Sequence, residues 1–301
     1  DRAAKMGFEM NKDGLFKDGK FIECTDESQI FHKLGLAFIS PELRENTGEI
    51  EFAENDALPR LIEKSDIKGT FHVHTTYSDG ISTVAEMAEA AMKLGFTYLG
   101  ISDHSQYAVY ANGMKPDAIQ KQHREIDALN CKFDNFKIFK GIEADILPDG
   151  SIDYDDAILA TFDFVIASVH SKFNMTEEEM TKRIIKAIEK EHVTMLAHPT
   201  GRLLLGREGY PVNVAKVIDA AAANDVVIEL NANPHRFDLD WRYCKLAKEK
   251  GVKISINTDA HNLDELRYTY MGVGIARKGW LEAKDVINTM ELREICAIYS
   301  R

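Results

Sequence analysis

The sequence predicts an α/β chain: a closed barrel of seven parallel βα units, preceded by a small α+β segment. Two patterns carry that reading. From Gly69 onward β-rich runs alternate with helical patterns, the order of parallel strand and helix units rather than of a sandwich. Before Gly69, two Asp-Gly pairs between apolar segments and one short helical pattern stand apart from the repeat. The strands of the repeat end near His74, His104, Glu143, His170, His198, Asn231 and Asp259. Seven ends make a barrel one unit short of the common eightfold form. An open doubly wound sheet is the alternative, but no Gly-x-Gly-x-x-Gly phosphate loop supports it.

The first fifty residues form the small segment. Residues 1–6, from Asp1 to Met6, read as the end of a helix with no cap before it, which leads us to expect a fragment of a longer chain. Phe8-Glu9-Met10 and Phe21-Ile22-Glu23 flank Asp13-Gly14 and Asp18-Gly19, a hairpin signature. Thr25 is placed to cap a helix with Asp26 and Glu27 in its first turn, an apolar face of Ile30, Phe31 and Leu34, and a stop at Gly35. Pro41-Glu42-Leu43-Arg44-Glu45 closes the segment, and an acidic, turn-rich linker over 51–68 leads to a second domain over 69–301.

In that second domain helices are expected over 83–94, 116–130, 176–191, 213–224 and 241–250. Thr83 with Glu86, and Thr176 with Glu179, have capping-box spacing, in which hydroxyl and carboxylate satisfy each other's backbone amides. Gly95 and Gly251 stand where a helix ends in the left-handed region.

Composition narrows the function. At 45% hydrophobic residues the chain can bury a substantial core. A formal charge of −12 argues against a surface that grips nucleic acid chiefly by counterion release, so any such contact must be local. Cys24, Cys131, Cys244 and Cys296 are scattered and read as reduced thiols. No leader-like opening and no apolar run of membrane-spanning length occurs, so a cytoplasmic chain with no membrane partner is expected.

The chemistry gathers at the strand ends. In Phe71-His72-Val73-His74 an extended backbone points both imidazoles to one side and Phe71 and Val73 to the other, and Ser78-Asp79-Gly80 then turns the chain. With Asp103-His104, Glu143, His170, His198-Pro199 and Asp259-Ala260-His261, the ends hold six of the ten histidines. In parallel α/β folds ligands bind at this end. Imidazoles and carboxylates without cysteine suit zinc, iron or manganese, whereas calcium and magnesium want nearly all oxygen. His32, His123 and His192 lie away from these ends and read as structural.

Taken in order, these motifs resemble those of the PHP (polymerase and histidinol phosphatase) superfamily, and the match spans about 69–262. The resemblance implies a distorted (β/α)7 barrel with three divalent metal ions, manganese or zinc or iron. It implies a first metal on His72, His74, Glu143 and Asp259, a second on Glu143, His170 and His198, and a third on Asp79, His104 and His261. Some members have histidine where this chain has Asp79; the harder, anionic aspartate favours manganese there. It also implies a metal-bridging hydroxide as nucleophile, with Glu143, His104, Asp259 and His261 as catalytic residues. Lys172, Arg202, His235 and Arg236 lie in βα loops of the same face and are expected to bind substrate.

Residues 1–50 resemble the end of the thumb of family X DNA polymerases. The resemblance implies a phosphoesterase from a bacterial family X polymerase, an exonuclease or phosphatase acting on DNA 3′ ends, whose other partners are the missing N-terminal polymerase subdomains. No polymerase activity is expected of this chain. A small-molecule phosphatase of histidinol-phosphate type and a non-catalytic, metal-stabilised module are the alternatives.

Overall fold

A computed structural model describes residues 2–299, and it divides into two compact units, Asp1–Arg60 and Leu61–Arg301. Asp1, which the sequence assigns to the opening helix, lies outside the described residues.

The first unit starts with α1 (Arg2–Lys5) and an antiparallel meander of β1 (Phe8–Asn11), β2 (Gly14–Lys17) and β3 (Lys20–Ile22). The two Asp-Gly pairs thus make two hairpins around a middle strand that the apolar pattern alone does not single out. The second is tight, with Asp18 and Gly19 both at positive φ, as a two-residue turn of matching twist demands. α2 (Glu27–Lys33) is capped by Asp26, whose carboxylate accepts from the Gln29 amide, and not by Thr25. The Thr25 hydroxyl instead accepts from the Gln29 side-chain amide, so the carboxylate one residue on takes the orphan backbone donor. Gly35, at φ +69°, ends the helix as expected. Arg44 holds the closing segment by pairing both terminal nitrogens with Glu27, and α3 (Glu49–Glu54) follows.

The second unit is the barrel. Its seven strands are β4 (Gly69–Thr70), β5 (Tyr98–Ile101), β6 (Lys137–Asp145), β7 (Phe164–Ser168), β8 (Met195–Leu196), β9 (Val227–Asn231) and β10 (Ile254–Asn257). They pair in chain order, every pair parallel. The outer helices are α4 (Val84–Lys93), α5 (Pro116–Asn130), α6 (Asp156–Leu159), α7 (Glu177–Ile188), α8 (Val214–Ala223), α9 (Trp241–Glu249), α10 (Thr269–Lys278) and α11 (Leu292–Tyr299). Both capping boxes form, at Thr83 and at Thr176. α4 buries Val84, Met87, Ala88 and Ala91, and α8 buries Val214, Val217, Ile218 and Ala221, the i, i+3, i+4, i+7 stripe of a one-faced helix. Among the described residues no helix is long and apolar enough to cross a membrane.

The interior is filled by aromatic rings. Phe71, Phe139 and Phe164 pack with Tyr299 of α11 at centroid separations of 5.3–6.3 Å. Gly141 exists for this plug, since a Cβ there would meet the Phe164 ring at 2.1 Å. The strict alternation expected around His72 does not hold. The β4 ladder stops at Thr70 and the chain bends at Phe71, so Phe71 joins the interior cluster while Val73 packs into the outer one with Val84 and Met87.

The barrel closes with side chains where strand pairing fails. β4 is two residues long, and among the described residues the chain bridges to the segment after β10 at Val73 and Ala260, where the His74 amide donates to Ala260. Below that point Asn257 accepts from the Phe71 amide, and the Asn288 side chain spans both strands. Its Nδ2 donates to Gly69 (2.9 Å) and Ile256 (2.8 Å), and its Oδ1 accepts from the Ile256 amide (2.6 Å). Asn288 is fully buried. Replacing it with alanine strands one amide and two carbonyls, so Asn288→Ala should lower the unfolding free energy by about 2–4 kcal/mol. Urea titration followed by circular dichroism reads this as a lower midpoint; a loss under about 0.5 kcal/mol would mean that the seam is held elsewhere.

Candidate metal centre

Each strand of the barrel delivers its polar residues at or just past its C-terminal end, where side chains no longer pack against the outer helices. His72 and His74 follow β4, with ring centroids 5.1 Å apart, and Asp79 lies in the turn beyond them. His104 follows β5 and bridges to Glu143, which is still inside β6. His170, His198 and the pair Asp259 and His261 follow β7, β8 and β10. His198 and Asp259 adopt positive φ, a conformation that side chains avoid and that the surroundings must impose.

Glu143 is the centre of the arrangement and is 1% exposed. One of its oxygens lies 3.4 Å from His72 Nε2, 3.2 Å from His170 Nε2 and 3.1 Å from His198 Nε2. The other lies 2.9 Å from His104 Nδ1 and 3.5 Å from His74 Nε2. Asp259 Oδ1 is 3.2 Å from His74 Nε2 and 3.5 Å from His72 Nε2. Asp79 reaches His261 Nε2 at 3.3 Å and His104 Nε2 at 3.8 Å. Three groups converge tightly enough for one ion each: His72, His74 and Asp259; His104, Glu143 and His170; and His74, Asp79, His104 and His261. These overlap the three sets that the family resemblance implies, with three differences. Glu143, expected in the first set and the second, stands only in the second. His74 and His104 each stand in two groups, and His198 belongs to none, although it touches Glu143.

The donor set fits divalent cations. Buried His72 Nε2, both nitrogens of His74, His104 Nδ1, Glu143 Oε2, His170 Nδ1 and His198 Nδ1 have no hydrogen-bond partner, in a protein interior where such groups are normally satisfied. Nitrogen and oxygen donors without sulfur match manganese, zinc or iron. The protonation pattern agrees. Burial pushes the Glu143 carboxyl up, but the charges of His72, His104 and His170 outweigh it and hold the group well below the usual range. Burial lowers His170, but Glu143 and Asp145 raise it to about 10. His74, buried and crowded by His104, is lowered to about 3. Protons on His72 and His170 thus stand where cations would supply the same charge.

Four buried carboxylates behind the cluster went unassigned in the sequence. Glu229, in β9, accepts from His72 Nδ1 (2.7 Å), the His198 amide (3.0 Å), Asn231 (2.9 Å) and Asn257 (3.0 Å). A charged residue inside the apolar run Val226-Val227-Ile228-Glu229-Leu230 was the available signal. Asp103, read only as part of a motif with His104, accepts from the Thr75 amide and hydroxyl, Ser78 and Gln122, and so pins the turn that carries Asp79. Asp145 lies 3.3 Å from His170 Nδ1. Asp238 accepts from the Thr200 amide and hydroxyl, fixing the loop after His198.

Of the four expected substrate residues, Arg236 comes closest to the cluster, with Nε 3.2 Å from Asp259 Oδ2. His235 is exposed beside it, and both line a cleft of about 570 Å³ with Asp259, His261, Leu204 and Leu205. Lys172 is exposed in the loop after His170. Arg202 is turned away: it bonds Asp240 (2.6 Å) and the carbonyls of Arg236 and Phe237, and so braces the loop that presents Arg236. His123 packs edge-on against Phe162, away from the cluster.

Known proteins resemble both parts of the chain. The family model described as PHP domain matches residues 70–233, and that described as DNA polymerase beta thumb matches residues 1–45. A DNA polymerase/3′-5′ exonuclease PolX of Bacillus subtilis is 44% identical over the whole chain, which spans 52% of that protein, about half its length. A probable phosphatase of Thermoanaerobacter is 32% identical over 202 residues, 63% of this chain and 77% of the relative. The structure of a histidinol phosphate phosphatase of Lactococcus lactis, complexed with zinc, L-histidinol and phosphate, aligns with 69% of this chain and 93% of its own at a TM-score of 0.52 and 19% identity, a likeness of fold.

Glu229 orients His72 from behind, and such partners typically carry a 10- to 100-fold share of metal affinity. Glu229→Gln should therefore weaken manganese binding by about that factor while the barrel still folds. Competition with a fluorescent chelator measures it; unchanged affinity would leave Glu229 a purely structural carboxylate.

Proposed function

This chain belongs to the PHP domain family and carries a polymerase beta thumb ahead of that domain; from that premise we propose that it is the hydrolytic part of a bacterial family X DNA polymerase, a metal-dependent phosphoesterase acting on DNA 3′ ends. The family and its relatives support a phosphoesterase. The observation that carries the finer reading is the thumb: the Thermoanaerobacter phosphatase aligns with 63% of the chain, whereas the polymerase aligns with all of it, residues 1–45 included.

We assign His72, His74, Asp79, His104, Glu143, His170, His198, Asp259 and His261 to holding three divalent ions. Bound there, such ions would polarise a phosphoryl oxygen and bring the pKa of water toward neutrality. The remaining roles fall to the chain. Arg236, already beside Asp259, offers its guanidinium to a non-bridging oxygen, a charge-assisted contact that fixes the phosphoryl group. Water adds to phosphorus as the bond to the departing sugar oxygen breaks; one water proton goes to that oxygen and the other to solvent. His235, exposed on the rim of the same cleft, is placed to deliver the first. Glu143 touches five imidazoles and keeps them in register.

Glu143→Ala should lower hydrolysis by more than about 100-fold, beyond the range of an outer partner, and more than His261→Ala does. The test is nucleotide release from a 3′-labelled single strand in manganese, beside turnover of a small phosphomonoester. Turnover of the small ester alone would support a histidinol-phosphate type of enzyme. Metal binding without either activity would support a structural module.

The charge of −12 generates a further expectation. Without basic polymerase subdomains the chain should bind DNA weakly, and attaching them should raise exonuclease rates by raising the local concentration of the 3′ end. Equal rates for this chain and a full-length polymerase across a salt series would show that the barrel binds DNA unaided.

A further inference from the structure

The loop after β5 projects aromatic residues at the metal cleft for which the fold gives no use. Tyr110 is 71% exposed, yet its ring lies 6.1 Å from that of His104 and 6.4 Å from that of His170. Its neighbour Val109 is 80% exposed and Tyr107 44%. A mobile loop would bury such side chains or average them over solvent, but this one is fastened on every side. Met114 donates its amide to His104 (2.8 Å), Tyr107 donates its amide to Asp153 (2.9 Å), and Gln106 donates to the Asp153 carbonyl (2.8 Å). Ala108, Ala111 and Met114 are buried beneath it. Gly113 allows the loop to close on itself, because a Cβ there would fall 1.9 Å from the Ser105 carbonyl. The loop is thus a rigid mount for an exposed ring beside the phosphoryl site.

A second apolar projection stands on another strand end. The turn after β8 is locked by paired amide bonds between Leu203 and Arg207 and presents Leu205, fully exposed and at φ +61°. Leu204 and Leu205 line the cleft that holds Arg236, Asp259 and His261. β5 and β8 are three strands apart in a ring of seven, the largest separation such a ring allows, so the two projections stand on opposite sides of the mouth. Between them lies the cluster of imidazoles and carboxylates, with the flat Tyr110 ring beside His104 and His170 on one side and Leu205 in the cleft on the other. That is the shape of a nucleotide: charge at one end and a flat base at the other.

We propose that Tyr110 is the stacking platform for the 3′-terminal base of a single strand, with Leu205 as the opposite wall, and that this pair makes the cleft prefer a nucleotide end to a bare phosphoester. The inference rests on the reading of the cleft as a phosphoester site for DNA. Base-on-aromatic stacking is sequence-tolerant, because every base presents a flat π-face, and it asks no net positive charge of the chain.

The test uses a short single strand with 2-aminopurine as its 3′-terminal base, added to the manganese-loaded chain, because stacking quenches that fluorophore whether or not cleavage follows. Wild type and Tyr110→Phe should quench it, and Tyr110→Ala should lose the quench and bind about tenfold more weakly or worse. A strand ending in an abasic residue should bind all three alike. Retention of the quench in Tyr110→Ala, or its loss in Tyr110→Phe, overturns the proposal, the second result pointing to the hydroxyl. Quenching without nucleotide release overturns the reading of DNA 3′ ends as the substrate and leaves the platform standing. Release without a Tyr110-dependent quench does the reverse, and neither signal from wild type overturns both.

Discussion

The structure depends on keeping ionisable groups together inside a low-dielectric barrel. Glu143 is buried among five imidazoles, and Asp259, Asp145 and Glu229 are buried beside them. Isolated, each charge would be strongly disfavoured there; packed as alternating donors and carboxylates, they hold one another. The opposed shifts of His170, raised to about 10, and His74, lowered to about 3, show how finely the balance is divided between neighbours. Such a cluster is stable only if its geometry is enforced from outside, and the outer carboxylates do this. Glu229 ties β9 to His72 after β4 and to His198 after β8, while Asp103 ties the turn of Asp79 to β5 and α5.

That enforcement explains the irregular barrel. A regular ladder between β4 and β10 would carry alternating side chains straight to the mouth. Here β4 stops after two residues, the chain bends, and His72 and His74 are set by their partners instead of by strand pitch. The missing ladder bonds are replaced by the amides of Asn257 and Asn288, which have donor and acceptor on one short side chain and can satisfy both strands at once. Site and seam are therefore one problem: the distortion that gathers the imidazoles opens the gap that the asparagines fill.

Much of this was legible in the sequence, and the limits have physical causes. Five of the barrel helices were readable because caps and stops are local, as Thr83, Thr176, Gly95 and Gly251 show, whereas α6, α10 and α11 were not read. The strand-end histidines were readable because so many polar groups in apolar runs have few structural uses. What could not be read depended on contacts between distant parts of the chain. Asn288 acts 219 residues from Gly69, and Glu229 acts 157 residues from His72. Arg202 and Arg236 look equivalent as loop arginines, and only the fold shows that one braces the other. The choice between Thr25 and Asp26 as cap turned on a competing bond with Gln29.

The acidity of the chain bears on what its cleft can hold. A surface of net −12 repels a polyanion at long range, so whatever attraction exists must act at contact. At the mouth the contact groups are Arg236, the cation-binding cluster, and the apolar residues Tyr110 and Leu205. None of these reads a duplex or tracks a backbone. On the proposed reading all suit one terminal phosphoester and the base next to it. The barrel then takes an end, and the acidity of the chain leaves the hold on that end to these short-range contacts.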